Sequence, residues 1–164
     1  MRSRIAAVAA LVAVVGAASG MPAAAVTQAP FQRGVNLTNW LQVGSARQIQ
    51  FTRFTKQDLV NIRSLGCDVI RLPINLHFMT NGAPNYTVDP LFFYFLDQIV
   101  DWCEELGLHL ILDNHTFDVD ASTDVNIDKV LVPIWSQMAA HYKDRSRYLY
   151  YEVLNEPHGI DDAR

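Results

Sequence analysis

Four short polar clusters, each following an apolar run, carry the side chains of this sequence best suited to chemistry. They are Asn36 with Asn39 and Trp40; Arg71 with Asn75 and His77; Asp113, Asn114 and His115; and Asn155 and Glu156, followed by Pro157 and His158. A carboxyl can give and take a proton, an amide can both donate and accept hydrogen bonds, and a guanidinium can pair with a carboxylate. Residues that merely pack would have no reason to gather these groups at corresponding points of the chain. The clusters are separated by roughly 40 residues without detailed self-similarity, so the repetition is architectural rather than that of a solenoid.

The elements that must position them are short strands and amphipathic helices in alternation. Strands are expected over residues 34–37, 68–72, 108–112 and 148–154, each ending at one polar cluster. The middle two are nearly continuous apolar runs, the pattern of parallel strands covered by helices on a face. Thr55 and Asp58 form a box-like helix start that Gly66 ends. Asp89-Pro90 opens a second helix, closed by Gly107. On it Phe92, Phe95, Leu96, Ile99, Trp102, Cys103 and Leu106 share one face, and these aromatics read as core. A third helix carries Ile134, Trp135, Met138, Ala139 and Tyr142, with Pro133 near its start.

Strand–helix alternation of this kind gives an α/β fold with a parallel sheet. An open nucleotide-binding sheet would want a glycine-rich turn after its first strand, and Asn36-Leu-Thr-Asn-Trp40 is not one. The expectation is therefore a (β/α)8 TIM barrel, whose active face lies at the strand C-terminal ends where the four clusters fall. A barrel needs eight strands and typically about 250 residues. The 164 residues here supply four βα units, and the expected fold is a barrel truncated after strand four.

Residues 1–25 read differently. Arg2 and Arg4 precede an apolar run over 5–18, and Ala23-Ala24-Ala25 offers small residues for cleavage, the pattern of a secretory signal peptide. The run falls short of the ~20 residues that span a bilayer. The rest, 26–164, is read as one domain, secreted to the extracellular space or the periplasm, with no membrane partner after signal removal. Without Arg2 and Arg4 the chain is two units more acidic than its formal −4, which argues against nucleic acid and suits a neutral polysaccharide. Cys67 and Cys103 are compatible with a disulfide in an exported chain, or with two buried thiols away from the chemistry.

The segments Arg33-Gly-Val-Asn-Leu-Thr-Asn-Trp40, Val69-Ile-Arg-Leu-Pro73, Leu110-Ile-Leu-Asp-Asn-His115 and Tyr151-Glu-Val-Leu-Asn-Glu-Pro157 together resemble the first four strands of a cellulase-like, family-five glycoside hydrolase, in order and spacing. The resemblance implies a retaining mechanism, with two carboxyl groups about 5–5.5 Å apart and no cofactor. Glu156 matches the acid/base, which protonates the departing glycosidic oxygen and then deprotonates the incoming water. Asn155 matches the amide that bonds the sugar 2-hydroxyl. Arg71 matches the guanidinium that orients the nucleophilic carboxylate, and His115 a histidine lining the glycone side of the cleft. Asn36 and Trp40 stand at the same rim as supporting groups, Trp40 either stacking on a sugar or packing. The family's nucleophile is a glutamate near the end of strand seven, beyond these residues. The isolated chain is therefore expected to be inactive, as half of an endo-β-1,4-glucanase.

Other readings stay open at this stage: the same chemistry on mannan, β-1,3-glucan or another β-glycan, or a half-barrel that binds carbohydrate without cleaving it. A metal-assisted hydrolase using Asp113, His115, Asp118 and Asp120 is disfavoured by their irregular spacing, and the expected metal set is none. Glu152 shares the strand parity of Glu156. A carboxylate inside a barrel needs a partner, so Glu152 is expected to be structural and paired with an arginine. His109 is read as structural too.

Overall fold

The expected alternation is realised, in a computed structural model, as β1 (Gly34–Asn36), α1 (Lys56–Ser64), β2 (Val69–Ile74), α2 (Pro90–Leu106), β3 (His109–Asn114), α3 (Asp128–Tyr142) and β4 (Leu149–Glu152). The structure describes residues 28–115 and 127–156; the signal-like segment 1–25, Asp118, Asp120 and His158 lie outside them. The strands form one parallel sheet in the sequential order β1-β2-β3-β4. That order is the one the first half of a (β/α)8 barrel requires.

Local sequence accounts for the helix limits. Thr55 and Asp58 make the reciprocal capping box of α1. Asp89 accepts from the Leu91 N–H ahead of Pro90 in the first turn of α2, and Gly107, at φ 63°, ends that helix in the left-handed conformation. Pro133 lies inside α3 rather than in its first turn.

Alternation along the strands separates two faces. Ile70, Leu72, Ile74, Leu110 and Leu112 are buried on the helix side, where Leu59 of α1, Phe92, Leu96 and Ile99 of α2, and Ile134 and Met138 of α3 join the same core. Fully burying side chains of this size contributes about 1.5–3 kcal/mol each. The opposite face carries Arg71, His109, Asp113 and Glu152. Gly34 allows β1 to close on β2: a Cβ there would meet a Val69 methyl at 2.5 Å.

β2 runs two residues beyond its expected end, through Pro73, because nothing is lost there. In a parallel strand the amide and carbonyl of alternate residues point to opposite neighbours. Arg71 O accepts from Leu37 N on the β1 side, and Ile74 O accepts from His115 N on the β3 side. Pro73 therefore turns its missing N–H toward β1, which has already ended at Asn36. β3 likewise extends to Asn114, so Asp113 lies within the sheet rather than just past it. β4 is shorter than expected and leaves the ladder after Glu152. Both cysteines are buried free thiols, and burial pushes the Cys103 thiol up to about 12.

Candidate active site

Arg71 organises the polar face. Its Nε and Nη2 donate to the two oxygens of Glu152, both at 2.7 Å, a bidentate fork that reaches from β2 past β3 to β4. Nη2 also donates to Asn155 Oδ1 at 2.8 Å and lies 2.9 Å from Asp113 Oδ2, while Nη1 donates to Asn36 Oδ1 at 3.3 Å. One guanidinium thus contacts a group from β1, β3, β4 and the turn after β4. The pairing of Glu152 with an arginine agrees with the sequence reading.

The electrostatics follow from these contacts. The hydrogen bonds to Glu152 hold the Arg71 guanidinium above its ordinary value, and the same bonds hold the Glu152 carboxyl below its own. Asp113 goes the other way. It has no exposed surface, and burial raises its carboxyl although His115 and Arg71 act to lower it. His115 Nδ1 lies 2.7 Å from Asp113 Oδ2, and its side chain remains partly exposed.

The turn carrying Asn155 and Glu156 is braced from two sides. Val153 O accepts from Trp135 Nε1 of α3 at 3.1 Å and from Asn114 Nδ2 of β3 at 3.3 Å. Asn155 N then donates to Asn114 O at 3.0 Å. Glu156 follows, exposed, with φ 40°. That left-handed conformation is costly for a residue with a Cβ, and such strain persists where the surroundings over-determine it, as at working sites.

The structure therefore brings Asn36, Arg71 and Asn155 into one network, with Glu156 adjacent and His115 joined through Asp113. Trp40 is not among them: of the two roles left open for it, stacking on a sugar or packing, packing is the one realised. Its ring has no exposed surface, packs edge-on to Phe54 at 5.3 Å and tilted over Phe51, and donates to Gln50 O at 3.2 Å. Burying so large a ring in the core leaves no face for a sugar. Sequence reasoning missed Asp113 as the partner of His115, and Asn114 and Trp135 as braces. For Asp113 a signal existed: polar His109 and Asp113 alternate with apolar Leu110 and Leu112. For the braces there was none. Among the described residues, no cluster of histidine, cysteine and carboxylates could hold a metal ion.

A family model described as cellulase, glycosyl hydrolase family 5, matches residues 26–164. Endoglucanase 3 of Fibrobacter succinogenes is 29% identical over 139 residues, covering 76% of this chain and 21% of its own length. Endoglucanase C of Acetivibrio thermocellus is 30% identical over 148 residues, covering 82% of this chain and 42% of its own. Among solved structures, a hyperthermophilic endo-β-1,4-glucanase in complex with substrate is similar at TM-score 0.69 and 25% identity, over 77% of this chain and 41% of that one. Another, titled endoglucanase, is similar at TM-score 0.68 and 28% identity, over 77% and 41%. The chain thus spans less than half the length of the relatives it matches here.

Proposed function

Because the chain belongs to the cellulase family, glycosyl hydrolase family 5, we propose that it supplies the acid/base half of a retaining glycoside hydrolase acting on β-linked polysaccharide, with β-1,4-glucan as the substrate. The observation that carries this reading is the Arg71 network, which links groups from all four strands and anchors the side chain of Asn155, the residue before Glu156. A guanidinium only donates, so the Asn155 oxygen faces Arg71 and its amide nitrogen is left as a donor for a sugar hydroxyl. Glu156, held in a strained backbone conformation at the exposed rim, is the carboxyl that reaches a glycosidic oxygen. It gives its proton to the leaving group and takes one back from water. Naming the glucan draws on relatives called endoglucanases.

Neither of the other inward carboxylates is placed to act as nucleophile. Glu152 is committed to Arg71 by both oxygens, and Asp113 has no exposed surface. In the proposed mechanism the attacking carboxylate comes from a later strand, and Arg71 orients it. The same commitment of the local carboxylates favours a second reading, in which these residues bind a glycan without cleaving it. Export through residues 1–25 belongs to the proposal as well.

Expression of the full-length gene product, with Glu156→Gln alongside, tests it on soluble β-1,4-glucan. Cleavage is expected to fall about 10²–10⁴-fold in the variant, at unchanged thermal stability. A variant that keeps full activity removes Glu156 from the acid/base role. Glucan binding without any cleavage by the unaltered protein moves the second reading ahead.

A further inference from the structure

Two contacts converge on one oxygen of Asp113: Nδ1 of His115 at 2.7 Å and Nη2 of Arg71 at 2.9 Å. The carboxylate has no exposed surface, while 29% of the His115 side chain is accessible. An ionised carboxylate can only accept, so the proton shared with Nδ1 belongs to the imidazole. Neutral histidine in water favours the other tautomer, with its proton on Nε2, so this pairing reverses the default. A hydrogen bond on one ring nitrogen decides the role left to the other.

We propose that Asp113 is a positioning residue that, in the neutral form of the His115 imidazole, fixes the proton on Nδ1 and leaves Nε2 at the rim as a bare hydrogen-bond acceptor. The consequence rests on the glycan reading above: His115 would take a hydroxyl that donates, whereas the neighbouring Asn155 amide offers a donor. The rim would then discriminate sugars by the direction of each hydroxyl hydrogen bond as well as by shape. Any group lacking a proton to give at the His115 position would face an acceptor with no partner and bind more weakly than one that donates.

The tautomer can be read directly in the full 164-residue chain, without sugar and without activity. Long-range proton–nitrogen spectra of 15N-labelled protein are recorded at alkaline pH, where imidazoles are neutral. The expected result is a His115 Nδ1 resonance of the protonated type and an Nε2 resonance of the unprotonated type, exchanging places in Asp113→Ala. An unaltered protein with its proton on Nε2 overturns the proposal, and so does a folded Asp113→Ala that keeps the Nδ1–H form. Should the alanine variant not fold, the spectrum of the unaltered chain decides by itself. Because no glycan is present, a failure here is distinct from a failure of the glucan reading.

Discussion

The two histidines at the ends of β3, His109 in the strand and His115 just past it, stand in opposite environments. At the lower end, His109 is nearly buried among rings: Tyr148 at 4.8 Å, Phe31 at 5.3 Å and Tyr150 at 5.5 Å between centroids. Burial lowers its proton affinity, partly offset by Asp68, while Arg147 lowers it further. Asp68 also accepts from the backbone amides of Gln32 and Arg33, which pins the segment bearing Phe31 across that end of the sheet. At the upper end, beyond Asn114, His115 meets a carboxylate, and the guanidinium of Arg71 stands behind it. One strand thus ends in packing on one side and in hydrogen-bonded charge on the other. That division is the expected one for a barrel, stability below and chemistry above.

Arg71→Met breaks the upper end and should have the largest effect. It leaves Glu152 and Asp113 without their cation and Asn155 without its anchor. Removing one partner of a buried pair costs about 3–5 kcal/mol, and a loss of roughly 2–3 kcal/mol is expected here because Glu152 is a third exposed. Urea unfolding measures it, and a change within 0.5 kcal/mol would show the network to be electrostatically idle. Phe31→Ala breaks the lower end more gently, by about 1–2 kcal/mol, since the ring is only partly buried. Opening that cover should also raise the His109 titration toward its ordinary value, followed by NMR. An unmoved His109 would mean that Phe31 does not shield it.

The smallest effect sharpens the contrast through pH. His109 has its folded value below the ordinary 6.5, so between the two values the unfolded chain binds more protons. Its contribution is present above 6.5 and is lost as the pH falls from there through the folded value. Glu152, lowered from 4.5, contributes stability present above 4.5 and lost as the pH falls through its folded value. Asp113 is raised above 3.8, so its contribution has the opposite sign and declines as the pH rises through its folded value. His109→Gln should therefore flatten stability against pH just below 6.5 and leave the more acidic limb in place. Stability curves that stay parallel throughout would assign that slope to other groups.

Much of the architecture was legible because it rests on periodicity and punctuation. The helix limits at Thr55, Asp89-Pro90 and Gly107 depend on residues with local conformational preferences, and those preferences survived packing. The polar strand ends were legible for the same reason: Arg71, Asn155 and Glu156 interrupt apolar runs. Strand length was less so. Whether Pro73 ends β2 depends on where β1 stops, which is a property of the neighbour and not of the proline.

By itself the sequence determined the parallel α/β order, the polar ends of the strands and the need of Glu152 for a cation, since each follows from residue type and spacing along one segment. The tertiary structure alone decided which groups meet. It buried Trp40 among Phe51 and Phe54 and aimed Arg71 at four segments at once. It also set Asp113 against His115, and turned Trp135 and Asn114 onto the carbonyl that steadies the turn before Glu156. Those contacts join residues up to 84 positions apart. A hydrogen bond at such separation depends on register and twist, which no local pattern encodes.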